Sequence, residues 1–191
     1  SDAFSMDGTS FGTALDTAAV NAPLTQIEQI VIDTDTTATF DDDQLDGQTF
    51  KVNALAAGTV TLKVEADSGT NTINLSNLSF TSFSYKGATG TSTSGVALDT
   101  DDNIQIIGNS GIDNITGTSL DDTITAGDGS DTITAGNGDD VLIPGAGNDV
   151  DTLVGGAGND TYVIGDEGEA DVVAEASSAG TDTFLFSDSY S

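Results

Sequence analysis

The chain has 191 residues, with 3 Lys+Arg against 32 Asp+Glu and a formal net charge of −29. That balance excludes nucleic acid as a partner, because phosphate binding needs Lys and Arg, and it argues against anionic membrane surfaces. There is no His and no Cys, which removes the Ser-His-Asp and Cys-His catalytic sets, the HExxH zinc site and disulfide staples together.

Of the acidic residues, 27 are Asp and five are Glu. A merely solvated acidic surface would use both, whereas Asp favours turns and metal loops. At this charge a metal-free chain resists compaction by self-repulsion. With 36% hydrophobic residues it is expected to be largely unfolded without a divalent ion. A carboxylate pair for hydrolysis is formally open, but carboxylates committed to metal are not available for it, so the chain is not expected to be an enzyme. No run of about twenty apolar residues exists, so no inserted membrane segment is expected. The opening SDAFSMDG has neither an initiator Met nor a basic region followed by an apolar one, as in a processed product or a piece of a longer chain.

In chain order, residues 1–25 are small and polar, with a weak helical signal at Gly12–Val20. Ile27, Ile30, Val31 and Ile32 form an apolar run that reads as strand. Thr39-Phe40 leads into Asp41-Asp42-Asp43, expected as a solvated loop, with a calcium role as the sharper alternative. Three segments then share one layout, GQTFKV, GTVTLKV and GTNTINL, led by Gly47, Gly58 and Gly69. Each alternates β-branched or apolar residues with polar ones. An antiparallel sandwich of short strands would show this alternation, but the regular glycine spacing favours a solenoid with wide coils. Leu75, Leu78, Phe80, Phe83 and Tyr85 are expected to fill the core where wide coils taper. Residues 87–95, GATGTSTSG, read as a flexible loop. Domain organisation is expected as a β-rich region over 1–100 and a narrower roll with a C-terminal cap over 101–191.

From Gly108 to Val163 the chain reads GNSGIDNIT, GTSLDDTIT, AGDGSDTIT, AGNGDDVLI, PGAGNDVDTLV, GGAGNDTYV. Each piece has nine residues except the fifth, which carries two extra. Tandem units this short bury a core only by stacking. The glycine-rich half makes a turn at positive φ, and the Asp-x-apolar half makes a very short strand with its apolar side chain inward. Two units form one coil with a strand on each side, so Asp113 lies under Asp131 and Asp122 under Asp140. Columns of carboxylates repel unless a cation lies between them, and carboxylate and carbonyl oxygens are the hard donors that calcium prefers. After Val163 the beat lengthens: Asp160, Asp171 and Asp182 are spaced by eleven, each followed two places on by Tyr162, Val173 or Phe184. The roll is therefore expected to continue, with Glu167, Glu169 and Glu175 read as surface charges, or as groups completing terminal sites, and Phe184-Leu185-Phe186 covering its open end.

These units resemble the GGxGxDxUx nonapeptide of the RTX (repeat-in-toxin) family, whose repeats form a parallel β-roll that binds calcium in its turns. The resemblance covers 108–163 well and 164–184 loosely. It implies an all-β parallel β-roll solenoid, with the β-rich N-terminal part continuing it, and several Ca²⁺ ions. It implies that the turn carbonyls and Asp of one coil pair with those of the next: Asn109, Gly111 and Asp113 with Ala126, Asp128 and Asp131, and Gly127, Gly129 and Asp131 with Pro144, Ala146 and Asp149. On the other edge it pairs Gly136, Gly138 and Asp140 with Gly155, Ala157 and Asp160. Asp122, Ala135, Asn137, Gly145 and Gly147 occupy the remaining ligating positions. Leu120 departs from the pattern where the turn around Asp122 should have its second glycine. The insertion near Val150 leaves either Asp149 or Asp151 as the ligand.

The resemblance further implies secretion through a one-step exporter and folding in extracellular calcium. The expected role is a structural or adhesive module of a secreted bacterial surface protein, of S-layer or adhesin type, with calcium-dependent end-to-end self-association as a consequence of open solenoid ends. The alternative is the calcium-folded C-terminal tail of a secreted protease or lipase whose catalytic domain is not in this sequence.

Overall fold

Short runs that alternate apolar and polar residues become strands, because successive side chains point to opposite faces. The structure is a computed structural model, and it describes residues 3–5, 29–32, 37–49, 51–54, 60–69, 71–80, 84–86, 92–94, 96–97, 103–146, 148–165, 171–175 and 180–187. In its N-terminal part the strands are β1 Ala3–Ser5, β2 Gln29–Ile32, β3 Thr37–Asp41, β4 Lys51–Ala54, β5 Thr61–Glu65, β6 Asn71–Asn74, β7 Ser84–Lys86, β8 Ser92–Ser94 and β9 Val96–Ala97. In its C-terminal part they are β10 Asn103–Ile107, β11 Asp113–Thr116, β12 Asp122–Thr125, β13 Thr132–Asn137, β14 Val141–Ile143, β15 Thr152–Ala157, β16 Thr161–Gly165, β17 Val172–Val173 and β18 Thr183–Ser187. One helical turn, α1 Asp42–Leu45, follows β3. The helix expected at Gly12–Val20 lies outside the described residues.

The chain winds between parallel sheets. One sheet runs β18-β16-β14-β12-β10-β5-β3, the facing one β17-β15-β13-β11-β6, and a third side runs β1-β2-β4-β9. Every pairing within the first two is parallel. This is a β-solenoid, and the parallel pairing of β2 with β4, β3 with β5 and β6 with β11 decides against an antiparallel sandwich. The glycine-led segments supply β4, β5 and β6, one to each of the three sheets. Their even spacing therefore marks three sides of one wide coil. Antiparallel pairing is confined, among the described residues, to β4 with β9 and β7 with β8. Residues 87–95, read as a flexible loop, instead contribute β8, because a Thr/Ser-rich run can pair as readily as it can loop.

Two apolar columns run through the roll. In the larger sheet Phe40, Val64, Ile106, Ile124, Leu142, Tyr162 and Phe184 stand opposite one another in successive strands. In the facing sheet the column is Ile73, Ile115, Ile133, Leu153 and Val173. From Phe40 to Tyr162 and from Ile73 to Leu153 these side chains are buried, each contributing about 1.5–3 kcal/mol against exposure. Leu75, Leu78 and Phe80 join this core as expected, while Phe83 lies outside the described residues. At the C-terminal end Phe184 stacks on Tyr162 with ring centroids 5.2 Å apart. Phe184 and Phe186 are still 49% and 74% exposed, so they extend the stack and present a new apolar edge.

The acidic run at 41–43 also departs from expectation. Asp41 closes β3 and Asp42 starts α1 with its side chain buried, accepting the Asp67 N–H at 3.3 Å. The Asp67 N–H on the segment after β5 gives the carboxylate a donor inside the fold, so it need not face solvent.

Candidate metal centre

The position two residues before each apolar core residue changes character along the sheet. Leu62 and Ile104 hold it in the wide coils, opposite one another, and Ile104 is followed in register by Asp122. From there to the C-terminus the same row is acidic. The Asp122 N–H donates to Asp140 Oδ1 at 2.8 Å, Asp140 N–H to Asp160 Oδ1 at 2.9 Å, and Asp160 N–H to Asp182 Oδ1 at 3.0 Å. The facing sheet repeats the device: Asn71 N–H to Asp113 Oδ1 at 3.1 Å, Asp113 to Asp131 at 2.8 Å, Asp131 to Asp151 at 2.7 Å, and Asp151 to Asp171 at 3.1 Å. Each side chain thus replaces the backbone acceptor that a continuing strand would have supplied, at the point where the chain leaves the sheet for the turn.

The second carboxylate oxygen separates two kinds of turn. Asp113 Oδ2 accepts the Asn109 N–H at 2.8 Å, and Asp122 Oδ2 accepts the Thr118 N–H at 2.7 Å. Both carboxylates are satisfied by the protein itself. In the later turns the corresponding residue is a glycine at positive φ, Gly127 at 111° and Gly136 at 127°. The Gly127 N–H is turned along the ladder to Pro144 O at 3.1 Å. Asp131, Asp140 and Asp160 consequently keep a buried Oδ2 that accepts no hydrogen bond. A buried anionic oxygen without a donor is costly enough that its occurrence three times in register calls for a cation.

Burial dominates the electrostatics. It pushes the Asp122 and Asp131 carboxyls up to about 7 and Asp140 up to about 8, and raises Asp160 as well. Hydrogen bonds from neighbouring coils oppose this, and nearby carboxylates add to it: Asp151, Asp113 and Asp149 at Asp131, and Asp122, Asp160 and Asp121 at Asp140. Acidic groups held in this state favour either a proton or a metal ion.

The turns stack closely enough to define the rest of the donor set. A β-carbon on Gly127 would lie 1.9 Å from Asn109 O, and one on Gly129 would lie 2.3 Å from Gly111 O. On the other edge, one on Gly138 would lie 2.6 Å from Leu120 O. The carbonyls of Asn109, Gly111, Gly127, Gly136 and Gly138 therefore each face a turn of the next coil. Ala126 and Ala135 are buried beside them, and Gly155 sits against Asp160 Oδ2. Asp128, Asn137, Ala146 and Ala157 are exposed on the outer side of their turns. Gly145 packs on Gly127 O, Pro144 O is taken by Gly127 N–H, and Gly147 lies outside the described residues.

In the inserted turn Asp151 takes the ladder position. It is buried in the ladder, whereas Asp149 is exposed and displaced into the turn. Asp171, Asp182 and Asn71 belong to the ladders and were not among the sequence-derived ligands; the Asp-x-apolar signal was present at both aspartates. A second, outer ladder was also missed. Asp139 N–H donates to Asp121 Oδ1 at 2.8 Å, Asn159 N–H to Asp139 Oδ1 at 2.7 Å, and Thr181 N–H to Asn159 Oδ1 at 3.0 Å. It runs in the opposite direction, and the Asn159 bonds hold the Asp139 carboxyl below its ordinary value.

All donors here are oxygen: carboxylates and turn carbonyls, with no imidazole or thiol in the chain. That set, repeated at sheet edges of a parallel solenoid, defines a calcium-binding β-roll. The RTX calcium-binding nonapeptide repeat model matches the chain in four copies, over residues 107–142, 116–150 and 150–168. Residues 107–168 are thus a run of RTX repeats, and this chain carries a calcium-binding repeat module. Comparison with curated proteins and with solved structures returns no match.

Proposed function

We propose that this chain is a calcium-folded structural or adhesive module of a secreted bacterial surface protein, of S-layer or adhesin type, without enzymatic activity. The observation that carries the reading is that Asp131 in one buried ladder and Asp140 and Asp160 in the other each keep an oxygen without a donor. A chain at −29 with such rows gains its fold when ions enter them. At ten times its dissociation constant each site adds about 1.4 kcal/mol, and calcium modules of the extracellular kind work at roughly 0.1–1 mM. The roll is then unfolded in the cytosol, suited to export as an extended chain, and folded outside the cell. The absence of His and Cys from the sequence supports a non-catalytic role.

End-to-end self-association belongs to the same reading. It is supported by β18, which ends its sheet with Phe184, Leu185 and Phe186 exposed. Circular dichroism across a calcium titration tests the whole. A sharp rise in strand signal near millimolar calcium is expected, with light scattering rising alongside it. A spectrum indifferent to calcium would refute the reading.

A further inference from the structure

The C-terminal end of the roll holds a carboxylate group that the nonapeptide pattern does not contain. Asp182 extends the ladder beyond the matched repeats, which end at residue 168, and accepts the Asp160 N–H at 3.0 Å. Glu175, on the short segment after β17, brings its carboxylate to the same place. One oxygen from each of Asp160, Glu175 and Asp182 lies within 4.8 Å of the others.

Clustering alone would mean little on so acidic a surface. Asp160, however, has no exposed surface. Its Oδ1 is taken by the Asp140 N–H at 2.9 Å, and its Oδ2 is buried with no hydrogen-bond partner. The chain's three basic residues, Lys51, Lys63 and Lys86, all precede the roll in sequence. Three carboxylates lie within 4.8 Å of one another, one of them on a fully buried residue whose Oδ2 has no donor, and no basic residue lies in the C-terminal half of the chain, so an external cation is favoured there.

We propose that Asp160, Glu175 and Asp182 form a further calcium site at the C-terminal end of the roll, in which the ladder pair Asp160 and Asp182 is completed by a Glu from outside the nonapeptide pattern. This inference rests on the calcium-folded reading above. In the repeat turns, backbone carbonyls complete the donor set around each Asp. Here the Glu175 side chain takes that part, with a longer reach than Asp and an oxygen as hard as a carbonyl. An ion bound there ties the segment 171–175 to β16 and β18 and pins the last coil to the stack.

The test uses the full chain, comparing wild type, Glu175→Gln, Glu175→Asp, Asp160→Asn and, as a control on β5, Glu65→Gln. Calcium stoichiometry is read by calorimetry. Tyrosine-sensitised terbium emission supplies a local signal, because the Tyr162 hydroxyl and Asp160 Oδ2 both face Gly155. Glu175 is exposed, so its substitution leaves the core intact. Glu175→Gln is expected to bind one calcium fewer, or that one at least ~10-fold more weakly, with reduced terbium emission and an unchanged calcium-induced strand signal. Glu175→Asp recovers part of the loss, and Glu65→Gln matches wild type. Superimposable titrations of Glu175→Gln and wild type, with Asp160→Asn reduced, would overturn the site while leaving the roll's other sites standing. Absence of calcium uptake by wild type would instead overturn the functional reading on which it rests.

Discussion

Asp140 gives its Oδ1 to the N–H of Asp122, 2.8 Å away, and keeps its Oδ2 buried without a donor. One oxygen closes the protein's own hydrogen bonding while the other is left for a ligand. Asp140→Asn retains an acceptor for the ladder and removes the buried charge. Calcium-free protein carrying this change is expected to show more strand than wild type. Its calcium uptake is expected to fall by one ion, or by at least ~10-fold in affinity at that site, equivalent to about 1.4 kcal/mol. Circular dichroism without calcium and calorimetry with it check the two halves.

The raised carboxyls give the calcium-free roll a specific pH dependence. Asp122 and Asp131 sit near 7 and Asp140 near 8, against an ordinary value of 3.8. The folded state therefore holds protons that the unfolded chain has released, and stability falls as pH rises from about 4 through 8. Calcium-free protein is expected to gain strand signal as the pH is lowered from 8.5 to 5. Calcium must displace those protons, so the concentration needed to fold the chain rises as pH falls. Circular dichroism without calcium over pH 5–9 and calcium titrations at each pH test the two trends, and a flat calcium-free profile would count against the buried-anion account.

Turn stacking predicts which glycines tolerate a side chain. Gly145 has φ of 123°, and a β-carbon there would lie 1.8 Å from Gly127 O. Gly47 has φ of 63° and nothing within 4 Å of the added atom. Gly145→Ala must move a backbone carbonyl that faces the metal row, so a loss above ~2 kcal/mol is expected, whereas Gly47→Ala costs about 1 kcal/mol from its backbone conformation alone. Denaturant titrations in saturating calcium separate the two.

The inserted turn offers a test of register. Asp151→Asn removes a buried ladder carboxylate that receives the Asp131 N–H at 2.7 Å, while Asp149→Asn alters an exposed turn residue. The first is expected to lower the melting temperature in calcium by several degrees and the second to leave it unchanged. The reverse order of effects would mean that Asp149, not Asp151, sits in the row.

Asp151 also shows how far sequence reading reaches. Asp151 stands two residues before the core position Leu153, so the Asp-x-apolar spacing marks its ladder place, while the two-residue insertion left Asp149 and Asp151 both open. The same spacing marked Asp171 and Asp182, whose ladder bonds the structure supplies. Glu175 lies off that spacing, and the sequence left it open as a surface charge or as part of a terminal site. It stands outside the repeat, and only the path of the chain after β17 brings it to Asp160.

Sequence alone determined the nine-residue beat, the inward Ile and Leu column, the acidic rows and their preference for a hard cation, because turn chemistry and strand alternation act over a few neighbouring residues. Tertiary structure alone decided which coil each Asp completes, once winding length changes from 42 residues to 18, 20 and 22. It also decided which carboxylate oxygens are left without a donor. Those outcomes depend on contacts between residues one full winding apart, and a hydrogen bond is made or missed only when two coils are laid against each other.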